Sequence, residues 1–263
     1  MSNDHYLARD GARIAYEITG AGTPLGYGHG VLLSRAAVRR MALFDIDAVA
    51  ADRRLLTYDQ RGHGHSTGRP VAADYTFDSV ADDLLALVDA ADLGEPLDFM
   101  GSSLGAAAAL GAALRAPEKF RRLALLIPPV AWEGGDAPVR RWYLDTADAI
   151  DAEGAAAWRR GWANAEPIPL LAEHKGFDLT PDIDDELVSS ALRGVGQSDL
   201  PDPARLATLP HPTLILTWDT DPLHPVETAE RLHEAVPNSE LHVSRSLADV
   251  LTWTGRVRDF FAG

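Results

Sequence analysis

Hydrophobic and polar residues alternate in two different ways along the chain. In the first 25 residues, the segments HYLAR and ARIAYEITG alternate apolar and polar positions on either side of Asp10 and Gly11. Asp-Gly is favoured in tight hairpin turns, so this region predicts an antiparallel hairpin. Beyond it, short apolar runs are separated by segments whose apolar residues recur every three or four positions. That second pattern is typical of buried strands with covering helices.

The apolar runs predict five strands buried on both faces. They are PLGYGHG (24–30), RLLTYDQ (54–60), PLDFMGS (96–102), RLALLIP (122–128) and PTLILTW (212–218). The intervening segments, such as DSVADDLLALVDAADLG and SLGAAAALGAALRAPEKF, have helical periodicity. Strands that alternate with helices predict an α/β protein with a doubly wound, mostly parallel sheet.

The alternation stops between about Ala131 and Ala207. This stretch is acidic and rich in tryptophan, with helical segments such as DIDDELVSSALRGVG and no convincing strand. It predicts a helical cap insertion over the carboxyl edge of the sheet, with residues 1–130 and 208–263 as the core. Its tryptophans fit either the interior of the insertion or a role facing a substrate, and the first of them is a substrate-binding candidate: Trp132, Trp142, Trp158 and Trp162.

Composition excludes several classes of function. The formal charge of -15 repels phosphate backbones and anionic membranes, so neither nucleic acid nor a membrane is an expected partner. The chain has no cysteine, which removes disulfides and thiolate chemistry. No signal-like apolar segment or run of 18 apolar residues occurs, so we expect a soluble cytoplasmic protein without a cofactor that acts on a small molecule. The sequence leaves monomer and homodimer open.

The strand PLDFM leads into a candidate nucleophile. Gly101-Ser102-Ser103-Leu104-Gly105 follows the strand, and an alanine-rich helix comes next. A serine between two glycines at a strand-to-helix turn can hold a strained backbone with its Oγ exposed. The N-terminus of the helix also favours negative charge on an oxyanion. Ser103 is therefore the predicted nucleophile, and Ser102 is a substrate-binding candidate.

With this serine in place, the chain resembles the α/β-hydrolase superfamily from the first hairpin to the last helix. GHG (28–30), YDQRGHGHS (58–66) and TDPLHP (220–225) look like that family's His-Gly loop, Asp-x-Arg-Gly-x-Gly-x-Ser loop and acid loop, in the family's order. The resemblance implies a Ser-acid-His triad with Asp221 as the acid. It also implies an oxyanion hole from the backbone N–H groups of Val31 and Leu104.

The resemblance breaks at the third member of the triad. The family places a histidine after the last strand, but the corresponding region, near 247–249, reads Leu-Ala-Asp, and His242 comes too early. Among the nine histidines, His224 stands three residues after Asp221 at the same sheet edge as Ser103. We expect it either to serve as a displaced base, oriented by Asp221 or Asp219, or only to close its turn.

Other histidines have smaller expected roles. His29 belongs to the oxyanion loop and is expected to organise its backbone, and it is also a substrate-binding candidate. His63 and His65 are expected to make structural hydrogen bonds. The acid loop supplies too few ligands for a metal, and none is expected.

Two hypotheses follow from the intact elbow and the missing histidine. The first is a serine hydrolase that cleaves a carboxylic ester or lactone of a small, apolar molecule. The second is a non-hydrolytic α/β-hydrolase-like protein that binds a ligand or supports a lyase or isomerase step. A protein-binding scaffold is a weaker third hypothesis.

Overall fold

A computed structural model describes residues 4–133 and 137–263; three residues of the predicted insertion, 134–136, lie outside this range. One eight-stranded sheet has the order β1-β2-β4-β3-β5-β6-β7-β8. The β1–β2 and β2–β4 pairs are antiparallel, and all other pairs are parallel. The strands are β1 His5–Arg9, β2 Ala12–Gly20, β3 Pro24–Gly28, β4 Arg54–Tyr58, β5 Leu97–Ser102, β6 Phe120–Leu126, β7 Thr213–Trp218 and β8 Ser239–Ser244.

Helices cover both faces of this sheet and its carboxyl edge. Short 3₁₀ helices lie at Ala72–Tyr75, Pro117–Lys119 and Pro169–Leu171. The α-helices of the described residues are α1 Arg35–Met41, α2 Ile46–Val49, α3 Phe77–Ala91, α4 Leu104–Arg115, α5 Pro138–Glu153, α6 Ala155–Ala163, α7 Val188–Gly196, α8 Pro203–Leu206, α9 Val226–Ala235, α10 Leu247–Val250 and α11 Trp253–Ala262.

The predicted hairpin and the doubly wound parallel sheet are both confirmed. Asp10 and Gly11 both have positive φ, 41° and 78°, as a tight primed turn requires. Successive strand residues supply the two faces: Phe99 packs into the core under α3 and α4, whereas Met100 packs into the core under α1 and α11. The sheet is therefore buried on both sides, as its near-continuous apolar strands predict.

The segment between β6 and β7 forms α5 to α8, in the region predicted as a helical insertion. Its division from the core as a separate unit stays a prediction. The helix predicted over 182–196 begins only at Val188. Asp182 is instead bound to two loops of the core, because its N–H donates to Leu32 O (2.7 Å) and its carbonyl accepts from Gly64 N–H (3.0 Å). These contacts hold the residues before α7 out of the helix and join the segment to the sheet edge.

No helix among the described residues has both the length and the apolar character needed to cross a membrane.

Candidate active site

The turn between β5 and α4 holds Ser103 in a strained backbone conformation. Its φ and ψ are 51° and -109°, a region that L-residues with side chains rarely adopt. The glycines on either side are required by close packing: a Cβ on Gly101 would overlap the Gly105 carbonyl, and one on Gly105 would overlap the Gly28 carbonyl. The sequence pattern thus builds a sharp elbow whose serine hydroxyl faces the carboxyl edge of the sheet.

The loop after β7 places a histidine directly against this serine. His224 Nε2 lies 2.9 Å from Ser103 Oγ, and His224 Nδ1 lies 2.9 Å from Asp221 Oδ2. Side-chain exposure is 12% for His224 and 3% for Asp221, so bulk water competes little for these bonds. The distance that the sequence left open is therefore a hydrogen-bond distance.

Asp221 shapes the loop that carries the histidine. Its Oδ1 accepts the backbone N–H groups of Leu223 (2.9 Å) and His224 (3.1 Å), an Asx turn, while Oδ2 accepts from the imidazole Nδ1–H. This turn explains how an acid and a base only three residues apart can act together. With the Nδ1 proton held by the carboxylate, Nε2 is the acceptor for the Ser103 hydroxyl. Asp219, the other candidate acid, is exposed and makes no such contact.

The loop after β3 brings a second backbone segment against the serine. A Cβ built on Gly30 would lie 3.4 Å from Ser103 Cβ, so the Gly30–Val31 backbone lies close to Ser103. The N–H groups of Leu32 and Leu33 are used by His63 and Gly30, but no acceptor for the Val31 N–H occurs among the described residues.

The second oxyanion-hole candidate lies at the start of α4. Leu104 is the first residue of this helix, so its N–H lacks an intrahelical acceptor. The Ser103 N–H, in contrast, donates to Leu126 O (2.9 Å). Among the described residues the Val31 and Leu104 N–H groups are thus without an acceptor, as a pair of oxyanion donors would require.

Two buried histidines fix the shape of the oxyanion loop. Leu32 has a φ of 69°, and its N–H donates to His63 Nε2 at 3.0 Å. His29 accepts the Gln60 N–H at Nε2 (2.8 Å), and its Nδ1 lies 2.8 Å from Gly30 O. Burial lowers the pKa of His63 to about 3 and also lowers the pKa of His29, so both rings are neutral and can accept these N–H groups.

A cavity of about 140 Å³ opens beside Ser103, His224 and Asp221. Its walls are almost entirely apolar, and Lys and Arg are missing from the described residues that form them. The cap contributes Trp142, Tyr143 and Trp162, and the core contributes Tyr27, Phe44, Trp218 and Trp253. A cavity that holds one water has a volume of about 15 Å³, so this cavity suits a group on the order of ten non-hydrogen atoms.

The three predicted substrate contacts have different positions. Ser102 lines the cavity and is partly exposed to it. His29 does not line it: the ring is completely buried and both nitrogens are bonded to backbone groups, so the prediction of substrate contact is wrong and only its role in the loop is supported. Trp132 also lies outside the lining, since its indole N–H donates to Pro201 O (3.0 Å) and its ring stacks with Arg231.

The region where the family has its histidine carries another contact between a histidine and an aspartate. His242 Nε2 lies 2.9 Å from Asp249 Oδ1, and Arg256 also contacts Asp249. Neither His242 nor Asp249 lines the cavity. Sequence reasoning did not identify Tyr27 or Tyr143 as cavity residues; the position of Tyr27 at the carboxyl end of a buried strand was the signal available for it.

Comparisons with known proteins agree with this geometry. Residues 29–247 match the family model described as alpha/beta hydrolase fold. A relative named putative carbamate hydrolase RutD, from Agrobacterium fabrum, is 31% identical over 206 residues, 74% of this chain and 76% of the relative. The 2-hydroxymuconate semialdehyde hydrolase of Pseudomonas sp. is 29% identical and covers 89% of this chain and 82% of its own.

A crystal structure of a hydrolase from Pseudomonas aeruginosa has a TM-score of 0.80, with 26% identity and 99% of both chains covered. The fold, the elbow and the sequence match lead to one conclusion: the chain belongs to the α/β-hydrolase family.

Proposed function

We propose that this protein is a serine hydrolase that cleaves a carboxylic ester or lactone of a small, apolar molecule. The observation that carries the proposal is the hydrogen-bonded series Ser103 Oγ, His224 Nε2, His224 Nδ1 and Asp221 Oδ2, each bond 2.9 Å long. A serine hydroxyl needs a neighbouring base to act as a nucleophile, and this series supplies one with its orienting acid. The relatives named as hydrolases support the same reaction class.

The mechanism follows from these contacts. His224 takes the Ser103 proton as Oγ attacks the substrate carbonyl, and Asp221 stabilises the imidazolium that forms. The Val31 and Leu104 N–H groups bind the oxyanion of the tetrahedral intermediate. His224 then gives its proton to the leaving alcohol, which leaves an acyl group on Ser103. A water activated by the same imidazole hydrolyses the acyl-enzyme.

The apolar cavity supports the choice of substrate. The described lining has no Lys or Arg to pair with an anionic substrate, and burying an unpaired charge there is unfavourable. An uncharged molecule with an apolar body gains binding free energy from each apolar side chain that it covers.

Turnover of a substrate panel tests this proposal. The purified protein and Ser103→Ala are assayed on short p-nitrophenyl esters, aliphatic lactones and an aryl carbamate, the last because several relatives are named carbamate hydrolases. The proposal predicts turnover of an ester or lactone that Ser103→Ala lacks. A protein that turns over none of them, or a Ser103→Ala variant with full activity, would contradict it and favour a non-hydrolytic role.

A further inference from the structure

A pair of hydroxyl groups lies in the cavity lining, close in sequence or space to Ser103. Tyr27 and Ser102 lie near the carboxyl ends of neighbouring strands, β3 and β5, and point to the same face of the sheet. Tyr27 Oη lies 3.1 Å from Ser102 Oγ, and both residues line the cavity. Tyr27 is 1% exposed, whereas Ser102 is partly exposed in the cavity beside the nucleophile. The pair is therefore placed to contact any molecule bound to Ser103.

This pair has one more proton than its own hydrogen bond uses. Two hydroxyls carry two protons, and the bond between them takes one, whichever group donates. Burial raises the pKa of Tyr27 to about 12, so the phenol keeps its proton at neutral pH. Among the described residues neither hydroxyl makes a second hydrogen bond. The remaining O–H is thus a donor that faces an otherwise apolar cavity.

The direction of the reaction determines which part of a substrate reaches this donor. His224 must protonate the leaving group, so the leaving group lies on the side of β7. Tyr27 and Ser102 lie on β3 and β5, and β6 separates β5 from β7 in the sheet. His224 reaches Ser103, at the end of β5, from the β7 side, whereas Tyr27 on β3 lies on the opposite side of β5. The acyl part of the substrate, opposite the leaving group, is the part that covers the hydroxyl pair.

We propose that Tyr27 and Ser102 form an acyl-side subsite for an uncharged oxygen acceptor, such as a ketone, ether or hydroxyl oxygen, carried by the acyl chain of the substrate. This inference rests on the proposed hydrolase function and narrows its substrate class. A carboxylate at the same place is excluded, because no cation lines the described cavity and Asp221 adds a negative charge to its wall. The acceptor must therefore be neutral.

Three p-nitrophenyl esters of similar length test the subsite. The 5-oxohexanoate carries a ketone, the hexanoate lacks it, and the glutarate monoester replaces the methyl ketone with a carboxylate of nearly the same shape. One additional neutral hydrogen bond should raise kcat/KM for the oxo ester about tenfold above the hexanoate. The glutarate should fall at least about tenfold below the oxo ester. The 4-oxohexanoate tests the neighbouring position of the acceptor.

Variants of the two hydroxyl residues identify the donor. Each single variant leaves one hydroxyl with its proton, so the ratio of kcat/KM between oxo ester and hexanoate should fall towards one in the double variant Tyr27→Phe/Ser102→Ala, and the single variant with the larger fall identifies the donor. This ratio cancels losses common to both esters. Tyr143→Phe is the matched control, since Tyr143 also lines the cavity but lies on the cap, and its ratio should stay at the wild-type value. Thermal unfolding confirms that each variant is folded.

The outcomes separate the subsite from the reaction itself. Equal turnover of oxo ester and hexanoate by the wild type, or a preference that survives in the double variant Tyr27→Phe/Ser102→Ala, overturns the subsite while hydrolysis stands. A preference lost in Tyr143→Phe instead assigns the acceptor to the cap and also overturns it. A wild-type protein that hydrolyses none of the esters overturns the hydrolase function, and the subsite with it.

Discussion

Two aspartate–histidine pairs with the same N–O distance lie at the ends of neighbouring strands. Asp221 and His224 follow β7, whereas His242 lies in β8 and Asp249 follows it. In each pair an imidazole nitrogen lies 2.9 Å from a carboxylate oxygen. The first pair is mostly buried and its second imidazole nitrogen meets Ser103 Oγ. In the second pair the side chains are 26% and 28% exposed, and Arg256 contacts the carboxylate. The contrast shows that an aspartate–histidine pair contacts a serine only where the loop places it at the elbow.

Removing each imidazole in turn should give the largest difference in activity between the two pairs. His224→Ala removes the only base in contact with Ser103 in the described structure, so kcat/KM for an ester should fall at least about 10³-fold. His242→Ala is the matched control and should keep kcat/KM within about twofold of the wild type. Steady-state assays on the best ester of the panel provide the measurement. A larger loss in His242→Ala would show that the base lies after β8.

Neutralising each carboxylate should have the next largest effect. In Asp221→Asn the amide can donate to Nδ1, which favours the tautomer with the proton on Nε2, where it can no longer accept from Ser103. The expected loss in kcat/KM is about 10²- to 10³-fold. Asp249→Asn should leave activity near the wild-type value. Equal effects of the two substitutions in the same assay would contradict the assignment of Asp221.

His63 offers a third case for comparison, because its buried imidazole is bonded to backbone groups and not to an aspartate. Its folded pKa is about 3, and an unfolded histidine titrates near 6.5, so between these pH values the unfolded chain binds more protons than the folded protein. The free energy of unfolding therefore falls as pH is lowered through this window, by up to about 1.4 kcal/mol per pH unit from this group. His63→Gln should show a shallower fall between pH 6.5 and 4.

Urea unfolding at a series of pH values measures this slope. Glutamine has no titrating group, and its side-chain oxygen can still accept the Leu32 N–H. The variant therefore removes the titration of residue 63 and keeps its hydrogen bond. An unchanged pH slope in His63→Gln would show that the ring is not kept neutral by folding.

The pair after β8 should have the smallest effect. Its side chains are partly exposed, and a surface pair of this kind contributes about 0.5 kcal/mol to the free energy of unfolding. His242→Ala should therefore lower the free energy of unfolding by about that amount, measured by urea unfolding at pH 7. A loss several times larger would indicate that this pair is a structural centre of the β8 edge.

The sequence predicted the fold and the strained turn at Ser103 because both have local signals. The alternation of apolar runs with helical periods specifies a parallel sheet, and glycines at 101 and 105 mark a close backbone approach. The partnership of His224 with Ser103 could only be a hypothesis, because 121 residues separate them and a single distance decides it. The Asx turn of Asp221 brings His224 to that distance from Ser103, and hydrophobic periodicity carries no signal for such a turn.

Substrate contacts were harder to predict from sequence. His29 stands in the same loop as Val31 and has the chemistry of a contact residue, but both its nitrogens are used by backbone groups. Tyr27 looks like an ordinary residue of a buried strand, and its neighbour across the sheet, Ser102, is 75 residues away in sequence. The lining of the cavity depends on how the cap lies over the sheet, which periodicity does not specify.

The rate at which Ser103 reacts with a fluorophosphonate tests the central claim most directly, because it reports on the nucleophile without any requirement for substrate binding or deacylation. The second-order rate constant is measured for the wild type, His224→Ala and His242→Ala, with the labelled residue identified by mass spectrometry. We predict labelling at Ser103 that falls at least about 10²-fold in His224→Ala and is unchanged in His242→Ala. Equal labelling of the wild type and His224→Ala would contradict the account.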